Sequence, residues 1–517
     1  MAINYKISDS VHSLLNLGNH DEARKIVDAE LQNLTNKSKL LFVAELYGLL
    51  IDIGCESDNE NDLIRAIDFM IKCEQKLTKH IKRSSFYYNL GNAKHGLSSI
   101  YLRKNPGVKN LETIKTLMQE PINYYWLAFK NLDQKNSKDL RFQILINLSH
   151  CLLDVGRLVE AVNFLDMVLR EKPEYTQALM SRGTALNQIA TLTNCSLTVN
   201  LFVQIYKAID DALKTNKLPE PFKRIALVRK AAVFTKIQEY GFEITNIENE
   251  ISESFKESLK HNRSRRFAIR NFLTLNEHAL YCNCSVSSKD DLTLGVPFAV
   301  LKGEIIGKQE LLLNRLKSEF ALARHLFYQS KTKKKLDFDS GFSELHDGEF
   351  ISPQAEMLRS SFRISYGILD KIALGICKLY DLSNENENNL FEAFWKKNNE
   401  RWEKLNSIRN YHLNALYSIA CDLNSTSGEL KQFKEWRNKL EHKILILGDP
   451  KNEKKDILKL YEDKDFVAIA DLKDFEAKTL HLLQLTRAAI FSFVYCVRLQ
   501  TISEDKGEGK AFHVSFK

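Results

Sequence analysis

Proline and glycine are scarce in this chain, with 8 and 20 in 517 residues. So few helix breakers and turn formers exclude a collagen-like repeat or a Gly/Pro-rich linker protein, and they favour an all-α fold. The nine cysteines fall at positions 55, 73, 151, 195, 282, 284, 377, 421 and 496. Their odd count and wide spacing exclude a secreted disulfide framework and read as reduced thiols, most of them small core residues. No H-E-x-x-H and no paired C-x-x-C occurs, so a zinc hydrolase has no ligand set. Cys282-Asn283-Cys284, with His278 four residues upstream, lacks a second ligand pair. No G-x-x-x-x-G-K-[ST] loop is present, so nucleotide hydrolysis has no visible seat. Neither a cofactor nor a metal is expected.

The first residues, MAINYKISDS, lack the basic-apolar-small pattern of a signal peptide. No apolar run reads as approaching the roughly 20 residues a bilayer crossing needs, and SFVYCV near the end reads as a buried helix segment. The expectation is a soluble, cytoplasmic protein. A net charge of +8 permits an RNA partner without demanding one. Basic clusters at Lys79–Arg83, Arg263–Arg270, Lys331–Lys335 and Lys431–Lys443 read first as solvated faces. The length exceeds what one core supports, so about two to four domains are expected.

The first half reads as paired helices with recurring punctuation. From Phe142, Leu145, Leu148, Ser149 and Leu152 line a first helix, and Gly156 falls at the turn. Ala161, Leu165 and Val168 line a second helix, and Pro173 marks its exit. Ser149 and Ala161 are small where two such helices touch. One register on, Leu179, Gly183 and Leu186 occupy the same slots, and Leu14, Gly18, Ala23 and Val27 give a partial copy at the start. This spacing resembles the tetratricopeptide repeat (TPR), strongly over two repeats and more loosely elsewhere. Further pairs are expected at 39–76 and 85–133, and closing helices at 200–214 and 222–240. Such stacks offer a concave surface.

The second half predicts a docking helix at 308–330 and a polar, irregular stretch at 331–343. Four longer helices follow, at 353–381, 406–423, 429–447 and 474–500, with a short one near 389–398. Leu358, Phe362, Tyr366, Leu369, Ile372, Ala373 and Ile376 form an apolar face on the first of the four. A polar turn is expected at 384–389 and a strand-like piece at 466–470. Four helices around one core make a bundle.

Within the third helix, Arg437-Asn438-Lys439-Leu440-Glu441-His442 sets an arginine and a histidine five positions apart, with a polar Asn after the Arg. A histidine moves protons near neutral pH, and a guanidinium offers a fixed cation to a crowded phosphate. Arg437 and Glu441 also have the spacing of a plain surface ion pair. Positions five apart differ by about 140° on an ideal helix, so one helix alone makes a poor site, and two meeting across a two-fold axis make a better one. The neighbouring Arg409-Asn410-Tyr411-His412 reads as packing and capping.

The motif, with SFRISYGILDKIALGICKLYDL, FWKKNN, NYHLNALYSIACDL, EWRNKLEHKIL and FEAKTLHLLQLTRAAIFSF around it, resembles the HEPN superfamily, in a branch that sits behind TPR repeats. That superfamily's motif is R-x(4–6)-H with a polar residue after Arg, and Arg437, Asn438 and His442 fall on it. The resemblance implies a homodimeric, metal-independent endoribonuclease. Arg437 and His442 are then catalytic and Asn438 supports them, bonded to His442 or to the phosphate. Asp370 and Arg363 are placed to orient His442 or RNA, or to hold the bundle as an ion pair.

The resulting organisation is an all-α chain in four parts. A TPR-like α-solenoid spans 1–255, a connector with the docking helix 256–345, a HEPN helical-bundle domain 346–502, and a C-terminal tail 503–517. The expected partners are RNA, a second copy of the chain, and a protein or peptide trigger in the solenoid groove. The expected setting is phage defence or a toxin-like stress response. The alternative is a catalytically silent scaffold or RNA-binding module. A further alternative is a regulator nucleotide-modified at Tyr411 or Tyr417.

Overall fold

The computed structural model describes residues 5–34, 39–107, 110–133, 137–192, 198–241, 243–244, 262–283, 286–295, 307–332, 340–341, 351–382, 390–396, 400–448 and 466–504. The chain is all-α, and among the described residues a two-stranded ribbon is the one exception. It divides into two compact units. The first holds residues 1–155, 161–187 and 199–241, and the second holds 156–160, 188–198 and 242–517. The expected polar turn at 384–389, most of the 331–343 stretch, and all of the tail after 504 lie outside the described residues.

The helices of the N-terminal half are α1 (Tyr5–Asn16), α2 (His20–Gln32), α3 (Leu40–Glu56), α4 (Glu60–Leu77), α5 (Arg83–Lys104), α6 (Leu111–Thr113), α7 (Gln119–Lys130), α8 (Lys138–Asp154), α9 (Leu158–Glu171), α10 (Thr176–Leu192), α11 (Thr198–Lys214) and α12 (Glu220–Glu239). A π-helical turn, Ile114–Met118, joins α6 to α7. Successive helices pack on one another because each hides an apolar stripe it cannot bury alone. Val11, Leu15, Ala23, Val27, Leu46 and Leu50 form one core, and Leu63, Ala66, Met70, Phe86, Leu90 and Ala93 the next. Ser149 donates to the Ala161 carbonyl at 3.3 Å, so α8 and α9 touch at the small pair read from the sequence. Gly18 closes the first turn with φ at +78°, which most residues avoid.

The helices of the second unit are α13 (Arg263–Arg270), α14 (Lys308–Thr332), α15 (Pro353–Leu379), α16 (Phe391–Phe394), α17 (Glu400–Ser407), α18 (Tyr411–Asp422), α19 (Lys431–His442) and α20 (Leu472–Glu504). Helix α15 lies between α14 and α20. At their meeting point a Cβ on Gly375 would stand 2.7 Å from Leu312 and Phe493, so these helices approach through a glycine. Helix α20 is long and apolar enough to span a membrane by length and composition, longer than the sequence reading allowed. Within the unit 83% of its apolar window is buried, as in the core helix of a bundle. Its arginines pin the segment before α14: Arg487 donates to the Thr274 carbonyl at 2.7 Å, and Arg498 bonds Glu277 at 2.6 Å and the Leu294 carbonyl at 2.7 Å.

Two helix boundaries differ from expectation. The span 406–423 is not one helix: α17 ends at Ser407 and α18 starts at Tyr411. Asn410 caps α18, accepting from the backbone of His412 at 3.1 Å and Leu413 at 3.3 Å. The span 429–447 is also broken. Helix α19 stops at His442, and Ile444–Gly448 becomes β1, paired in parallel with β2 (Val467–Asp471). An Ile-Leu-Ile-Leu run suits a pleated strand once a partner supplies the ladder. Elsewhere in the unit, Arg157 is fully buried, bonded to Glu160 at 2.9 Å and to Asp422 at 2.6 Å.

Candidate active site

Helix α19 is fixed by two aromatic side chains on one face. Phe433 and Trp436 are buried and pack on Phe362 of α15, each with ring centroids 6.1 Å away. Trp436 also meets Phe475 of α20 at 5.1 Å. Arg437 follows Trp436 directly, so its side chain leaves from the rim of that buried face. The guanidinium lies over the Tyr366 ring, 5.9 Å from the centroid, and its Nη2 stands 3.8 Å from Asp370 Oδ2. Its Nη1 donates to Asn438 Oδ1 at 3.2 Å. The arginine keeps 23% of its side-chain surface in solvent, so it is braced from within and open outward.

Asp370 is itself anchored. Its Oδ1 accepts the Phe391 backbone N–H at 2.7 Å, tying α15 to α16. Burial pushes its carboxyl above the ordinary carboxylate range, while the Phe391 N–H and Arg437 oppose that shift. Burial also pushes the Tyr366 phenol well up, so it faces Arg437 as a neutral ring. One turn before Arg437, Lys434 pairs with Glu392. Glu392 in turn accepts from the Ser425 N–H at 3.3 Å.

His442 is the last residue of α19 and is exposed. Among the described residues it makes no hydrogen bond or ion pair. Asn438 is exposed too, and Arg437, not His442, is its hydrogen-bond partner. The ion pair read between Arg437 and Glu441 does not form among the described residues; Arg437 turns to Asp370 instead. Asp370 bonds neither His442 nor Arg363, whose guanidinium donates to Ser360 at 3.3 Å. The structure therefore brings Arg437, Asn438 and Asp370 together and leaves His442 on the same helix, free at its end.

The residues set aside from the sequence also have places. His412 is fully buried, with neither ring nitrogen hydrogen-bonded, and burial lowers its pKa to about 3, with Arg498 adding to the effect. It stays neutral and cannot shuttle protons near neutral pH. His278 bonds the Tyr281 hydroxyl at 3.0 Å, and Cys284 lies outside the described residues. Tyr366, which braces Arg437, was read from the sequence only as a core residue. Its spacing of four before Asp370 on one helix is the signal that could have joined them.

Residues 303–500 match a family of HEPN domains, a class that generally comprises ribonucleases. The C-terminal part of this chain is thus a HEPN domain, a class that suggests a nuclease or other RNA-related function. The particular family is the one described as LA2681-like HEPN. The matched span takes in α14 as well as α15 to α19 and α20 up to residue 500, and residues 1–302 and 501–517 lie outside it. No curated protein matches the chain.

Proposed function

We propose that the HEPN domain is a metal-independent endoribonuclease. In this reading the RNA 2′-oxygen attacks the adjacent phosphorus and the P–O5′ bond breaks. His442 moves the proton, either from the 2′-hydroxyl or to the leaving 5′-oxygen. Arg437 stabilises the charge that builds on the phosphorane oxygens. The products carry a 2′,3′-cyclic phosphate and a 5′-hydroxyl. The nucleophile is already tethered beside phosphorus, so positioning supplies much of the rate.

The observation that carries this reading is the contrast on α19: a guanidinium braced by Asp370 and Tyr366, and an imidazole with no described partner. The exposed imidazole is available for proton transfer, and the arginine is held in place with part of its surface open to a phosphate. Two copies would set both Arg–His pairs around one cleft, which supports a homodimer as the working form. The N-terminal helical array would take a protein or peptide trigger in its groove, keeping the nuclease at rest until a phage-defence or toxin-like response in the cytoplasm calls on it. The engaged state of Arg437 is what favours the second reading, a catalytically silent RNA-binding scaffold. Expression of wild type against His442→Ala separates the two. Growth arrest with new RNA ends for the wild type alone is expected, and identical RNA profiles would contradict the nuclease.

A further inference from the structure

Helix α13 carries Arg263, Arg265, Arg266 and Arg270 within its 8 residues, and no carboxylate. It lies outside the span that matches the HEPN family. The helix is held firmly. Asn262 caps it, accepting from the Arg265 backbone N–H at 3.0 Å. Ala268 and Ile269 are buried, and Phe267 packs on Phe327 and Tyr328 of α14, with ring centroids 6.0 and 5.3 Å away. Arg263, Arg266 and Arg270 recur at i, i+3 and i+7, so they share one stripe about 10 Å long.

Arg263, Arg265 and Arg270 are exposed, and Arg266 is half-buried. Among the described residues, the side chains of Arg263, Arg265 and Arg266 form no hydrogen bond or ion pair. Carboxylates of the segment that follows are committed elsewhere: Asp290 pairs with Arg324 at 2.7 Å and Glu277 with Arg498 at 2.6 Å. The turn Val286–Ser288 packs on α13 and leads into Lys289, which is exposed as well. Like charges one turn apart repel, so the helix carries a cost that a bound polyanion would remove.

The form of the charge selects the polyanion. A planar guanidinium meets a phosphate with two parallel N–H bonds, which suits arginine to phosphate recognition. A row of guanidinia along a rigid helix fits a chain of evenly spaced phosphates better than a single anion. Beside the row, Tyr328 is half-buried, so part of its ring is open to stack on an unpaired base. A glutamate-rich peptide has neither phosphates nor bases. A membrane surface holds helices through exposed apolar side chains, and α13 turns its own inward.

We propose that α13 is an anchoring site for single-stranded RNA, its arginine stripe bound to successive phosphates and Tyr328 stacked on a base. The site rests on the reading of the HEPN domain as RNA-directed, and not on cleavage.

The test uses the full-length protein and a fluorescein-labelled single-stranded 2′-O-methyl RNA, which lacks the nucleophile and stays intact whether or not the domain cuts. Fluorescence anisotropy across a salt series is expected to show Arg263→Gln/Arg266→Gln binding about tenfold more weakly, with a salt slope smaller by about 1.4 for two lost phosphate contacts. Lys217→Gln/Lys223→Gln removes the same charge from exposed positions of the N-terminal unit and is expected to change affinity less than about twofold. Tyr328→Leu keeps an apolar contact with Phe267 and is expected to weaken binding about fivefold or more. Circular dichroism checks each fold. Lys289→Gln, expected to weaken binding about threefold, carries the test if the arginine variant fails to fold. On cleavable RNA the arginine variant is expected to raise KM about tenfold and leave kcat unchanged. No binding by wild type, equal loss in the two double variants, or unchanged affinity in the arginine or Tyr328 variant would overturn the site. So would an arginine variant that keeps its RNA affinity and loses binding to vesicles of equal parts phosphatidylcholine and phosphatidylserine. RNA that stays uncut, with binding that depends on α13, would remove the nuclease and support this site.

Discussion

Arg437 sits 3.8 Å from Asp370 across the rim of the bundle, and Asp370 accepts the Phe391 backbone N–H with its other oxygen. Helices α15, α16 and α19 therefore meet at one carboxylate. A raised carboxyl binds protons more readily in the folded state than in the unfolded one. Stability then falls as pH rises between the unfolded and folded pKa values, and the ionised form is a cost at neutral pH. Asp370→Asn keeps an acceptor for Phe391 and removes that cost. At pH 7 its melting temperature is expected to equal or exceed that of wild type. Cleavage is expected to fall about tenfold because Arg437 loses its brace, the scale of one charge-assisted contact. Thermal melts and initial rates on one preparation check both.

Arg437→Ala is expected to lower cleavage by about 10²–10³-fold, the effect of removing one preorganised transition-state donor. Arg437→Lys restores the charge but not the planar fork, and it is expected to recover only a small part. RNA binding to both variants, measured under non-cleaving conditions, is expected to change far less than the rate.

His442 and Phe433 separate chemistry from folding. Exposed and unbonded, His442 can be replaced by Ala with a melting temperature close to wild type and a loss of about 10²-fold or more in cleavage. Phe433→Ala empties a buried aromatic site and is expected to cost about 3–5 kcal/mol of stability, with activity lost through unfolding. Chemical denaturation of the two variants side by side shows the contrast.

His412 gives a prediction for acid. Its folded pKa of about 3 lies below the ordinary 6.5 because burial penalises the charged ring. The unfolded chain binds the extra proton between these values, so the stability tied to His412 is full above pH 6.5 and drains away as pH falls toward 3. His412→Leu, close in volume and free of unbonded ring nitrogens, is expected to match wild type at pH 7 and to melt higher at pH 4. Scanning calorimetry across pH measures it.

The helical character of this chain was legible because local periodicity and scarce proline act within a few turns. Leu145, Leu148, Leu152, Ala161, Leu165 and Val168 were placed on buried faces from spacing alone, and all are fully buried. What failed was non-local. Ile444–Leu447 reads as helix until Val467–Asp471, some twenty residues later, supplies a hydrogen-bonding partner. The break at Asn410 was a local signal, read as a cap but not used to end the helix before it. At the site, the sequence named Arg437, Asn438, His442 and Asp370, but it assigned Asp370 to His442, RNA or Arg363. Asp370 and the unflagged Tyr366 instead brace Arg437 from another helix about seventy residues upstream. The Arg263–Arg270 cluster was legible as charge, but which of its arginines stand without a carboxylate among the described residues was not.

The most direct measurement uses an RNA with one mapped cleavage site, incubated in EDTA, and the same RNA with a single 2′-deoxynucleotide on the 5′ side of that bond. The account predicts a cut in the all-ribose strand leaving a 2′,3′-cyclic phosphate and a 5′-hydroxyl, and no cut at the deoxy position. Cleavage that persists at the deoxy position, or products ending in a 3′-hydroxyl, would contradict it.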